Sequence, residues 1–133
     1  MRLVIAGVVL EFLDALTTYI LIVSGLGYEA NPRIAPLINT TPEWVFPLFL
    51  AQASFVGGVA YLAHIERQLG FMRAYYTTAM PLIGYLVHKT IVVANNVAVG
   101  AVGFEGLDYE LSEALKMFMV VGGLVYSLLH RVG

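Results

Sequence analysis

The chain predicts an all-α integral membrane bundle of four transmembrane helices, and three observations carry that prediction. Apolar residues fill 59% of 133 positions while charged residues fill only 12%, about half the share found in a soluble domain. Mean hydropathy is +0.82, which a chain this short cannot reconcile with solubility, because a small globule has a large surface to cover with polar groups. Four apolar runs of roughly bilayer-spanning length are separated by short polar connections. The lipid bilayer is therefore the first expected partner. With no cysteine and a net charge of −2, thiolate chemistry is excluded, as are Cys-built metal sites and a basic surface for nucleic acid.

The first span is expected from about residue 3 to 24, stopped by Gly25-Leu26-Gly27. Arg2 before it resembles the start of a signal peptide, but Glu11 and Asp14 within the run argue against a cleaved leader. The second span is expected from about 44 to 63. Thr41-Pro42-Glu43 introduces it with a capping hydroxyl, a proline near the first helical position and an early acid, and Pro47 in the first turn is tolerated. The third is expected from about 75 to 99, bent by Pro81. The fourth runs from about 114 to 129, with Ser112-Glu113 as its cap. The connections at 64–74 and 100–113 leave no room for a second domain, so residues 1–133 read as one transmembrane domain of antiparallel neighbours. Residues 25–43 are longer. There Asn31-Pro32 reads as a cap followed by the apolar stretch Ile34 to Ile38, predicting a short interfacial or partly re-entrant turn. Trp44, Tyr28, Tyr75, Tyr76 and Tyr109 fall near span ends, as interfacial aromatics do.

Arg2, Arg67, Arg73 and Arg131 fall on one side of the membrane and Arg33 and Lys116 on the other, with acidic Glu105, Asp108 and Glu110. The excess of basic residues predicts that both termini are cytoplasmic.

Insertion energetics single out the informative residues. In the first span, 13 Leu, Ile, Val and Phe residues contribute about −6 kcal/mol, against about +3 for Asp14 near the centre and a comparable cost for Glu11. In the third, nine such residues offer about −4 kcal/mol against about +3 for Lys89, before His88, Asn95 and Asn96 are counted. Neither helix is expected to face lipid on every side. Glu11, Asp14 and Thr18 are spaced i, i+3, i+7 on one helical face, with Thr17 at its margin; His88 and Asn95 share a second stripe, and Lys89 with Asn96 a third. Counted at 1.5 Å per residue from the same side, Asp14 lies about 16 Å deep and Lys89 about 21 Å. This predicts an Asp14–Lys89 ion pair in the interior, with Glu11 and His88 nearby. Asn95, Asn96, Glu29 and Asn31 would extend it as a polar column to the outer face.

Intramembrane charges can simply neutralise each other and fix helix register, where a polar contact is worth about 0.6 kcal/mol. Their insertion cost is several times that gain, which makes such groups functional candidates. The pairs Gly57-Gly58 and Gly122-Gly123 read as packing positions. Glu11, Asp14 and His88 offer two carboxylates and an imidazole to a divalent metal, although their spacing is not diagnostic. No His-Glu-x-x-His, Gly-x-Ser-x-Gly or Gly-rich nucleotide loop is present. Three functions follow: a transport component binding a cation, a proton or a small polar solute; a structural or accessory subunit; and a membrane-embedded, metal-dependent lipid hydrolase using Glu11 or Asp14 with His88. An enzyme is the less favoured class, and a homo-oligomer is expected because four short helices make a thin wall.

Asp14-x-x-Thr17-Thr18 followed by Glu29-x-Asn31-Pro32 resembles the signature of a group of small prokaryotic polytopic membrane proteins without an assigned activity. The resemblance covers about the first third of the chain. It implies a four-helix or similar membrane fold in which Asp14, Thr17, Glu29, Asn31 and Pro32 act together, and it implies no particular chemistry.

Overall fold

The computed structural model describes residues 1–130. Its elements are α1 (Arg2–Val23), the short α2 (Ala35–Thr40), a 3-10 turn (Pro42–Trp44), α3 (Val45–Gln68), α4 (Met72–Val102) and α5 (Tyr109–Leu129). Four of these helices, α1, α3, α4 and α5, are long and apolar enough to cross a bilayer, so the protein is a multi-pass integral membrane protein. α4 has 31 residues, about 46 Å at 1.5 Å per residue, so it must tilt in or project beyond a hydrocarbon layer of about 30 Å. Arg131, counted in the orientation argument, lies outside the described residues.

Local sequence explains most of the helix ends. α1 stops because Gly25 takes a left-handed φ of +73°, which lets the Leu26 N–H donate to Leu21 O at 2.9 Å and the Gly25 N–H to Ile22 O at 3.2 Å. Gly70 ends α3 in the same way. Three of the expected helix caps do not form as the sequence suggests. α5 begins five residues earlier than 114, because the Asp108 carboxylate accepts the Leu111 N–H at 3.1 Å and supplies the cap assigned to Ser112. Asn31 does not cap a helix starting at Pro32. Its side chain accepts the Arg33 N–H at 3.0 Å, making a local turn, and α2 starts only at Ala35. Helical structure does begin at Pro42, but the Thr41 hydroxyl makes no cap bond. α4 passes through Pro81 without interruption.

α1, α3 and α4 pack against one another, and α5 packs chiefly on α4. Val56, Ala60, Leu82 and Leu86 form one core, joined by Leu3, Val4 and Leu10. A second core sets fully buried Ile38 of α2 against Ala15 and Val45, which folds residues 25–44 back over α1. The α4–α5 crossing is a backbone-to-backbone approach: a Cβ on Gly84 would strike Met119 O, and one on Gly123 would strike Met80 O. The expected glycine pairs are thus half right. Gly123 is a packing position, while Gly58 and Gly122 face open space. Large apolar side chains such as Ile5, Phe55, Phe118 and Leu128 point outward, where lipid covers them.

Candidate functional site

The site forms where α1 and α4 meet at mid-length, and helical spacing explains its composition. Glu11, Asp14 and Thr18 face inward from α1 because they are about one turn apart. Tyr85 and Lys89 do so from α4 because four residues separate them. Lys89 Nζ donates to Asp14 Oδ2 at 2.8 Å and lies 3.6 Å from Glu11 Oε2. The Tyr85 hydroxyl donates to Glu11 Oε1 at 2.6 Å, and the Lys89 ammonium lies 5.5 Å from the centroid of the Tyr85 ring. Glu11 is 1% exposed and Lys89 9%. Two carboxylates therefore share one ammonium in an environment where charge is poorly solvated.

Asn96 closes the upper edge. Its Nδ2 donates to Thr17 Oγ1 at 2.9 Å and lies 3.3 Å from Asp14 Oδ1 and 3.4 Å from Thr18 Oγ1. Thr17 Oγ1 in turn donates to Leu13 O at 2.7 Å. Thr18 Oγ1 reaches Asp14 Oδ1 at 3.5 Å, a long contact. Asn95 borders the same cavity without bonding to Asp14: its Oδ1 accepts the Leu107 N–H at 2.8 Å and ties down the connection between α4 and α5. Above them, Glu29 Oε1 accepts the Asn31 N–H at 3.0 Å, and the Glu29 backbone is held by Asn39 through bonds of 2.8 and 3.3 Å. Burial raises the Glu29 carboxyl above the usual carboxylate range and the negative charge of Asp14 adds to the rise, while the Asn31 N–H opposes it.

His88 does not join the carboxylates. Its Nε2 pairs with Ser112 Oγ of α5 at 2.9 Å, and its buried Nδ1 has no partner among the described residues. His88 and Lys89 leave α4 about 100° apart, so one turns toward α5 while the other turns toward α1. Among the described residues no group of three or more His, Asp or Glu side chains is arranged to hold a metal ion. The Glu11–Asp14–His88 set that the sequence offered to a metal is therefore not assembled among the described residues.

These groups line a cavity of about 270 Å³ that extends from Glu11, Asp14 and Lys89 to Glu29 and Asn31. Its walls hold four carboxylates (Glu11, Asp14, Glu29, Glu113) against two ammonium groups (Lys89, Lys116). Lys116 pairs with Glu113 at 2.6 Å one turn away. Sequence reasoning missed Tyr85, Ser112, Gln52 and Asn39. Only Tyr85 carried a readable signal, four residues before Lys89 on the same helical face. The others depend on which helices meet.

Fold and site together define a small polytopic membrane protein with a charged interior cavity. Residues 5–102 match a family described as a domain of unknown function, DUF5658, and the chain belongs to that family. No curated protein and no solved structure matches it.

Proposed function

We propose that this protein binds a cation, or the proton itself, inside the membrane and forms part of a transport path for a cation or small polar solute. The observation that supports this reading is the Glu11–Lys89–Asp14 cluster, a buried and a half-buried carboxylate on one ammonium, bordering a cavity that leads to Glu29 and Asn31. In this reading Asp14 is the primary carboxylate and Lys89 its resident counter-charge. A cation entering past Glu29 and Asn31 displaces Lys89, or a proton neutralises Asp14. Either event changes the charge balance at low dielectric and biases a helix rearrangement. Thr17, Thr18 and Asn96 orient Asp14, and Asn95 holds the rim. We read Asp14-x-x-Thr17-Thr18 with Glu29-x-Asn31-Pro32 as the pattern its family shares, since both halves border the same cavity.

Flux into proteoliposomes tests this directly. Asp14→Asn is expected to reduce cation-driven or proton-driven flux to that of empty liposomes while the protein stays folded; wild-type flux in that variant removes the transport reading. We further place both termini in the cytoplasm. A cysteine introduced at Glu105 is then labelled by an impermeant reagent from outside intact cells, and labelling only after lysis reverses the orientation. A homo-oligomer fits the one-sided packing of α5 on α4, and the mass of the protein in nanodiscs reads the copy number.

A structural role is the second reading, because each charge of the cluster already has a partner. It predicts that removing the three charges together leaves function intact.

A further inference from the structure

A second concavity, about 640 Å³, lies between α3 and α4, walled by Ala51, Phe55, Val59, Thr77, Pro81 and Val120. It is almost wholly apolar, and Phe55 at its rim is 73% exposed, which in a membrane means exposed to lipid. Its volume falls in the range of about 300–1,000 Å³ typical of small-molecule sites. Gln52 and Tyr85 line both this groove and the charged cavity. Tyr85 presents its hydroxyl to Glu11 and its ring to the Lys89 ammonium, so this one side chain partitions an apolar channel from a negatively biased polar chamber.

We propose that the site takes a cationic amphiphile, an alkylammonium whose headgroup occupies the polar cavity and whose single chain lies in the α3–α4 groove, entering sideways from the bilayer past Tyr85 and Gln52. This rests on the cation-binding reading above. Charge decides the headgroup: with four carboxylates and two ammonium groups in the cavity walls, a phosphate would face net repulsion, whereas an ammonium can take the place of Lys89 beside Glu11, Asp14 and the Tyr85 ring. Size decides its bulk, because 270 Å³ admits a small ammonium head and leaves the chain outside. The groove is the only one of the two spaces whose lining suits that chain.

The test is equilibrium binding of radiolabelled tetramethylammonium and dodecyltrimethylammonium to the full chain in lipid nanodiscs, corrected with empty nanodiscs. The long-chain cation is expected to bind roughly tenfold or more tightly than the short one, and Asp14→Asn is expected to abolish binding of both. Ala51→Trp, which fills the groove from α3, should bring the long-chain affinity down to that of tetramethylammonium and leave the latter unchanged. Thr77→Trp does the same from α4, should the first variant fail to fold. Equal affinities for the two cations, or long-chain binding indifferent to both tryptophans, overturns the groove while the cation site stands. Binding of neither cation, or equal binding to Asp14→Asn, overturns the cation site and the groove proposal with it. Long-chain binding that survives in Asp14→Asn but falls with the tryptophans identifies an ordinary lipid chain in the groove and also overturns the proposal.

Discussion

The chemistry rests on how few polar groups satisfy one another in a place sheltered from bulk water. Lys89 serves both Asp14 and Glu11, and Tyr85 serves Glu11 from the other side. Glu29, outside the spans, is the group whose titration is readable in the laboratory. Its carboxyl is raised above the ordinary value of 4.5, so the folded protein holds this proton more tightly than the unfolded chain does. The stabilisation from that proton is fully present below pH 4.5 and is lost as pH rises through the folded value. Thermal stability of wild type relative to Glu29→Gln, measured in detergent against pH, should therefore decline from pH 4.5 upward; a constant difference contradicts the burial of this carboxylate.

Helices set which of those groups meet, and here the contrast between prediction and structure is instructive. The Asp14–Lys89 contact was legible because α1 and α4, the first and third spans, start from the same side, so that residue count gives comparable depths along both. The facing of His88 was not, because its neighbour on α5 depends on a crossing made by Gly84 and Gly123, of which only Gly123 lay in a recognisable pair. The asparagine doublet splits for the same reason: Asn96 shares the Lys89 stripe, and Asn95 turns to the 103–108 connection. Cap positions shifted where a local side-chain bond competed, as at Asp108 and Asn31. The crossing itself is testable. Gly123→Leu should cost about 1–3 kcal/mol by overpacking and detach α5, seen as faster proteolysis of the α4–α5 connection. Unchanged stability and cleavage would mean that the two backbones do not approach there.

The whole molecule is a three-helix core of α1, α3 and α4 with α5 laid on one side and the 25–44 segment folded over one end. Composition and hydropathy predicted the four spans because lipid solvation acts on averages over about 20 residues. They could not predict the cavity, which depends on Ile38 docking on Ala15 and Val45 to bring Glu29 over the charged cluster. That cluster either acts in transport or only holds helices together, and the two roles respond differently to substitution. Removing Lys89 alone by Lys89→Met should destabilise by about 3–5 kcal/mol, since it strands two carboxylates, whereas replacing a buried ionic group entirely by neutral side chains is often nearly neutral. The decisive measurement is flux through the triple variant Glu11→Gln, Asp14→Asn, Lys89→Met in proteoliposomes. A folded protein of near wild-type stability with no flux above empty liposomes is the predicted result, and wild-type flux through that uncharged interior would contradict it.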